Sequence, residues 1–566
     1  MRAYFQHFQR LARAGAYAEL GQQPVPKPEL FNWTAEIFEG QHVAAHPAKA
    51  ALVLVGDDAG APAQSFSYGE LSGRANRLLN YWRAAGVGFG QAVLLVPVVA
   101  ELWLTYLAGI KAGLVPVATI LAVPDLVYRF GHLLPAVVVA DAENAEKIDQ
   151  AEQLLGQRIG LKMLVGPAGR PGWVGFAAAD TQPAEAAAAT RADDPLFMFF
   201  TSGTTGLPKV VVHPHFSYPV GHLSTAAWIG LRPDDVHCNV AQAGWAKFAW
   251  SSFFAPFSVG ATLLVHRPAG KFGAGALLQV LARQGVTTFC APPTVLRLLV
   301  LEDLAQHAFH FRECVSAGEP LNPEVIDAWQ RGPGVPLRDG YGQTETTALV
   351  YNLPGAAVRP GSMGRPSFLY DVVVAAAAGA ELPALAGGHI AVRLHPDRPN
   401  GVFKEYFGEP GRAATVSRHG LYYTGDKAYR DADGYGWFVG RGDVIKSSGY
   451  RVGPFEVESM LVEHPAMASP HAIKGHEIKA FLILRPGVAA SPALAAELFA
   501  FCRAHLAPYK MPRLSEFVPE LPKTISGKIR RVELRAQEAR HRLGGAPGRK
   551  NIFTASSARK AAGRPW

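Results

Sequence analysis

The chain has little cysteine, few charges and no long apolar run, and each shortage excludes something. Four cysteines, Cys238, Cys290, Cys314 and Cys502, stand far apart with no CxxC pair. That spacing excludes a finger-type zinc site and argues against a disulfide scaffold; a reducing compartment, the cytoplasm, fits best. No apolar run reaches the roughly 18–20 residues of a membrane span. The most apolar stretch, Ala92 to Pro124, is broken by Pro97, Glu101 and Lys111. Met1–Leu20 lacks the continuous apolar core of a secretory signal. It bears arginines, as organelle transit peptides do, but Phe5, Phe8 and Leu11 fall on one face, so a surface helix is expected. Charged residues are only 18% against 49% hydrophobic, which supplies several cores and excludes wholesale disorder. At about 100–200 residues per domain, 566 residues suggest several domains or subdomains.

The net charge of +9 is unevenly placed. Residues 536–566 carry seven Lys/Arg against one acid, Glu538, so two-thirds of the excess lies in a Gly/Ala/Ser-rich tail. Such a basic end is expected to be solvated and disordered. Nucleic-acid binding would want a basic patch with aromatics on the folded body, and no such module is evident, so no nucleic-acid partner is expected.

Helix and strand patterns alternate through the first 440 residues. Ser67-Tyr68-Gly69-Glu70 has capping-box spacing. Leu71, Ala75, Leu78, Leu79 and Trp82 follow at helical spacing, and Gly86 supplies a stop. Val93–Val96 reads as a buried strand, Ala100–Ala112 as a helix ended by Gly113, and Leu114–Ala118 as the next strand. The pattern returns at Gly275–Gln284 (helix), Val286–Ala291 (strand) and Pro323–Gln330 (helix). This alternation predicts parallel or mixed sheets covered by helices. Ala375–Gly388 reads as a loop or edge region, and Ala184–Ala189 as linker. After Gly440 the segments shorten, as in a small α+β unit.

Four motifs carry chemistry. Phe197–Phe200 delivers the chain into Thr201-Ser202-Gly203-Thr204-Thr205-Gly206-Leu207-Pro208-Lys209. Glycines let backbone N–H groups approach an anion, hydroxyls add donors, and Lys209 adds charge, a combination suited to polyphosphate. It is not a Walker loop, because Lys209 precedes Val210 and opens no helix. The second motif is Asp339-Gly340-Tyr341-Gly342-Gln343-Thr344-Glu345-Thr346. Tyr341 could stack on a base and Glu345 could hold a magnesium ion. The third runs through Asp426, a carboxylate able to accept from a ribose diol, to Arg441-Gly442-Asp443 and Gly449-Tyr450-Arg451. The fourth is Pro522-Lys523-Thr524-Ile525-Ser526-Gly527-Lys528-Ile529-Arg530.

In this order and at these separations, the four motifs resemble the adenylate-forming enzymes: acyl-CoA synthetases, stand-alone adenylation domains and luciferases. The resemblance covers about Phe31 to Arg535. Gly244-Trp245-Ala246-Lys247 and Trp250-Ser251-Ser252-Phe253-Phe254 bring it closest to medium-chain acyl-CoA synthetases. It implies a large α/β N-terminal domain, residues 1–440, and a small mobile α+β C-terminal domain, residues 441–540, followed by the tail 541–566. It implies ATP, Mg2+ and coenzyme A, with a medium-chain fatty or aromatic carboxylic acid as substrate; a homo-oligomer is left open.

The resemblance also implies roles. Thr201–Lys209 would handle the β- and γ-phosphates. Gly318-Glu319-Pro320 would lie along adenine, with Asp339 and Gly340 beside it and Tyr341 stacked on the ring. Thr344 would touch the α-phosphate and Glu345 the metal. Asp426 would bind ribose, Arg441 ribose or phosphate, and Lys528 would bridge carboxylate and α-phosphate. Asp443 would be the hinge whose rotation removes Lys528 and brings Gly449 to the pantetheine tunnel and Arg451 toward phosphates. Trp245 would wall the acyl pocket. Gly342, where acetate-specific relatives place Trp, would leave volume for a longer or aromatic acyl group.

Two departures stand out. One residue fewer separates Arg441 from Gly449 than is usual in the family, and the segment His464–His471 is short. Both touch the mobile domain, so a carrier-protein ligase and a non-catalytic nucleotide-binding homologue stand as alternatives to the synthetase.

Overall fold

The computed structural model describes residues 1–566 except 22–24, 59, 89–92, 97–99, 114–115, 119–121, 168, 202–208, 242, 269, 271, 397, 442–444, 448–449, 453–460, 462–466, 475–477, 506–510, 523–532, 535–551 and 555–566. The chain gathers into two compact units. The first takes Met1–Val372 and Val392–Tyr422, the second Val373–Ala391 and Tyr423–Trp566.

The first unit is built on a nine-stranded sheet. Its middle strands, Leu337–Gly342, Glu313–Ala317, Thr288–Ala291, Val236–Asn239, Thr262–His266 and Ala50–Val55, are mutually parallel, with antiparallel strands at both edges. Parallel strands need crossovers and covered faces, which is why these segments read as short runs of Val, Leu, Phe and Ala between helices. A second sheet of five strands includes Val93–Val96, Pro116–Ala118 and Val137–Ala140. A third is a small antiparallel sheet of Pro195–Thr201, Lys209–Pro214 and Glu405–Tyr406.

The helices arise where the sequence signals them. Helix Tyr68–Ala84 opens with the expected capping box: Ser67 accepts from the Glu70 N–H while Glu70 accepts from the Ser67 N–H. Its buried face includes Leu71, Ala75, Leu78, Leu79 and Trp82. Helix Ala100–Ala112 is buried on nearly all sides, and Gly113 leaves it with positive φ. The expected N-terminal helix is Arg2–Ala14, with Phe5, Phe8 and Leu11 buried. All four cysteines are buried thiols.

In the second unit, strands Met467–Lys474, Ile478–Leu484, Leu514–Phe517 and Ile552–Thr554 form one sheet. Helix Pro492–His505 covers it through Ala495, Leu498, Phe499 and Cys502. The last strand lies within the tail expected to be disordered. Its aromatic Phe553 packs 5.5 Å from Phe517, so three strand-forming residues inside a basic, Gly-rich end find a sheet edge.

Candidate active site

Strands Pro195–Thr201 and Lys209–Pro214 pair so that Thr201 stands opposite Lys209. The two ends of the first motif are thereby fixed side by side on a buried antiparallel ladder. Ser202, Gly203, Thr204, Thr205 and Gly206 lie outside the described residues. Lys209 borders the short strand Glu405–Tyr406, in which Tyr406 stands opposite Val211.

Lys209 gives its ammonium to two side chains, the Glu345 carboxylate and the Tyr406 hydroxyl at 2.8 Å. The Tyr406 hydroxyl donates to the same Glu345 oxygen at 3.0 Å. The ammonium also sits over the tyrosine ring, 4.4 Å from its centre. Glu345 is buried, and its carbonyl accepts from the Phe403 N–H at 2.8 Å. The neighbouring Thr344 carbonyl is bonded to His213 at 2.7 Å. Burial holds the His213 ring neutral, with its pKa lowered to about 4, and it stacks on Tyr218. A neutral ring here donates to the carbonyl without adding charge beside Glu345.

Glu345 follows the C-terminal end of strand Leu337–Gly342. Gly340 on this strand lies opposite Ala317, so Gly318-Glu319-Pro320 and Tyr341 leave adjacent parallel strands at the same end. This is the edge of an open α/β sheet at which ligands bind. Gly318 has φ +107°, and a Cβ there would meet no atom within 4 Å. Glu319 lies 3.8 Å from the Arg297 guanidinium. Asp339 is buried; desolvation raises its pKa to about 8 against the pull of the Gly340 and Leu321 N–H groups and of Lys247.

A Cβ at Gly342 would fall 2.3 Å from the Thr347 carbonyl oxygen and 2.7 Å from the Trp250 ring. The absent side chain makes room for this close approach. Trp245 is half-buried and opens a continuous helical run through Ala246–Ala249, Trp250–Phe254 and Ala255–Val259.

Asp426 lies in the second unit, buried on strand Leu421–Arg430 and opposite Arg441 in the hairpin with Gly436–Arg441. Arg441 and Arg451 are described by backbone alone. Asp443, Gly449 and Lys528 lie outside the described residues. Tyr406 was not singled out from sequence. No local motif marks it; its partners are 61 and 197 residues away.

Comparison with known proteins identifies the family. The AMP-binding enzyme family matches residues 40–407, and the AMP-binding enzyme C-terminal domain matches residues 456–528. The chain belongs to the AMP-binding enzyme family. It is 45% identical over 532 residues to 4-hydroxybutyrate--CoA ligase 1 of Metallosphaera sedula, covering 92% of each chain. It is 39% identical to the mitochondrial acyl-coenzyme A synthetase ACSM3 of Mus musculus, covering 79% of this chain and 80% of that one. Among solved structures, an anthranilate CoA ligase in complex with anthranoyl-AMP superposes with a TM-score of 0.83 at 30% identity, over 91% of this chain and 99% of that one. A benzoate CoA ligase from Burkholderia xenovorans LB400 gives 0.77 at 30% identity, over 89% and 100%.

Proposed function

We propose that the protein is an ATP-dependent acyl-CoA synthetase, which activates a carboxylic acid as its acyl-adenylate and passes the acyl group to the thiol of coenzyme A. The observation that carries this reading is the contact of Lys209 with Glu345. Two motifs read independently as phosphate- and metal-handling, 136 residues apart, meet as a part-buried ion pair at the end of the hydroxyl- and glycine-rich motif. The names of the relatives support the same class.

A free carboxylate is a poor electrophile. Its oxygen attacks the α-phosphorus of ATP, pyrophosphate leaves, and the new acyl-adenylate has a good leaving group in AMP. The thiol then attacks the acyl carbon, loses its proton, and AMP departs. Negative charge builds on the phosphates in the first step, so fixed positive groups there lower the barrier. Lys209 and Lys528 supply such charge, Thr344 orients the α-phosphate, Tyr341 and Gly318–Pro320 hold the base, and Asp426 binds the ribose.

The residues fit a magnesium ion carried by the nucleotide. Glu345 is a buried carboxylate whose partners include an ammonium and a phenol, and an ammonium can be exchanged for a dication. A Mg2+ already bound to phosphates needs one or two carboxylates rather than a cage. When bound, the ion would neutralise charge on the leaving pyrophosphate; Glu345 would hold it.

The test is AMP release from ATP with a panel of carboxylic acids, with and without coenzyme A. Thioester formation that requires both acid and coenzyme A supports the reading; AMP release indifferent to coenzyme A would move the protein to ligases serving another acceptor.

A further inference from the structure

We propose that the first unit holds a second ligand site, a basic pocket at the opposite edge of its main sheet from the candidate active site, which binds a small ligand carrying two or more phosphate groups. The inference does not depend on the synthetase reading. The pocket measures about 810 Å3 and is lined by Arg13, His46, Lys49, Arg232 and Asp234, with two prolines and an alanine between them. That volume falls within the roughly 300–1,000 Å3 of small-molecule sites. Its walls come from three parts of the chain. Arg13 stands in the last turn of helix Arg2–Ala14, His46–Lys49 leads into strand Ala50–Val55, and Arg232–Asp234 leads into strand Val236–Asn239. Both strands belong to the parallel set and flank strand Thr262–His266. The pocket therefore lies at the N-terminal edge of the sheet. Gly318 and Glu345 follow the C-terminal ends of strands Glu313–Ala317 and Leu337–Gly342, at the other edge.

The frame of the pocket is fixed, while most of its cations are uncommitted. The Lys49 ammonium donates to the carbonyls of Pro233 and Gly260, the latter at 2.6 Å, and so ties the His46–Lys49 segment to the turn that carries Arg232. Asp235 closes that turn by accepting from the Arg232 N–H at 2.6 Å, and its carboxylate also takes the Arg312 guanidinium. Among the described residues, the side chains of Arg13, His46 and Arg232 have no hydrogen bond or ion pair. Asp234 is the single carboxylate on the wall, facing two arginines and a lysine. A cleft lined mainly by one sign of charge focuses the field and concentrates the opposite ion.

Phosphate suits this arrangement better than carboxylate. A carboxylate offers two oxygens in one plane, whereas a phosphate group offers three around a tetrahedron and brings about −1.5 to −2 charge at pH 7. Cations arriving from three segments can each meet a different oxygen, and guanidinium forks grip phosphate through paired N–H groups. One phosphate fills a small part of the pocket, so a ligand with several such groups satisfies the separate walls together.

A solvated basic patch would show the same exposed arginines, so the test must separate a site from a patch, and this site from the candidate active site. Binding of inorganic tripolyphosphate to the full chain is measured by calorimetry without Mg2+, in the wild type, Arg13→Gln, Arg232→Gln and Lys209→Met, with citrate at matched ionic strength as the carboxylate control. The wild type is expected to bind tripolyphosphate more tightly than citrate. Each arginine variant should weaken that binding by about ten- to a hundredfold, the worth of a hydrogen bond to a charged group, and Lys209→Met should retain it. The arginine variants should also keep the wild-type rate of acid-dependent ATP–pyrophosphate exchange, which shows that they are folded. If one of them is insoluble, the other is read by the same ratio. Equal tripolyphosphate binding in the wild type and the arginine variants overturns the inference, as does the absence of binding in the wild type. Citrate bound as tightly as tripolyphosphate overturns the assignment to phosphate.

Discussion

Two ion pairs in the first unit look alike and are built for different purposes. Arg338 is 2% exposed and grips Glu313 through two nitrogens, at 2.8 and 3.2 Å. Its remaining donors go to the backbone carbonyls of Trp228, Ile229 and Asn352. Lys209 is part-buried, and both acceptors of its ammonium are side chains, those of Glu345 and Tyr406. The carbonyls of Trp228 and Ile229 at the end of helix Ser217–Ile229 and of Asn352 just past strand Ala348–Tyr351 belong to the backbone and do not turn toward a ligand, so the arginine pair is scaffolding. A carboxylate and a phenol on side chains can turn toward a ligand. The nature of the acceptors, rather than depth of burial, separates support from chemistry here.

Arg338→Met offers the largest way to break this comparison. It would leave Glu313 with only its longer 3.5 Å contact to Arg312 and would remove the donors to three carbonyls. A loss of about 3–5 kcal/mol in denaturant unfolding is expected, while variants that do fold should keep their KM for ATP. Glu345→Gln should do the reverse. The exchange rate should fall about 100- to 1000-fold, the scale for losing one preorganised charge-stabilising group, with unfolding free energy within about 1 kcal/mol of wild type. Comparable stability losses in the two variants would erase the distinction.

Lys528→Ala should lose adenylate formation yet still convert supplied acyl-adenylate to thioester, because the proposed role of Lys528 belongs to the first half-reaction alone. Single-turnover assays of each half-reaction read this directly; equal loss in both would remove that assignment. Tyr406→Phe is the mildest change. It deletes one hydrogen bond to Lys209 and one to Glu345 but keeps the ring under the ammonium, so a rise of about three- to tenfold in the Mg2+ or ATP concentration needed for half-maximal rate is expected. No change would mean that Tyr406 does not position the pair.

How legible these features were depends on the range of the interactions. Helix Tyr68–Ala84 was readable to its cap because capping and apolar spacing are local. The motif from Thr201 to Lys209 stood out in the sequence because hydroxyls, glycines and a lysine crowd one short span, and the structure describes its two ends, which pair side by side. Tyr406 was not, since its meaning depends on register with Lys209–Pro214 and on the return of Glu345 from another sheet. Gly342 illustrates a different limit. The sequence shows a missing side chain there, but only packing shows that the Thr347 carbonyl and the Trp250 ring close in on it. The strand Ile552–Thr554 was masked by its setting, because tail composition outweighs three strand-forming residues in any sequence window.

The most direct test of the account is exchange of labelled pyrophosphate into ATP by the purified full-length protein, with and without a carboxylic acid, alongside Glu345→Gln. The account predicts exchange that appears only when acid and Mg2+ are both present and that nearly vanishes in the variant. Exchange without acid, or equal exchange in the variant, would contradict it.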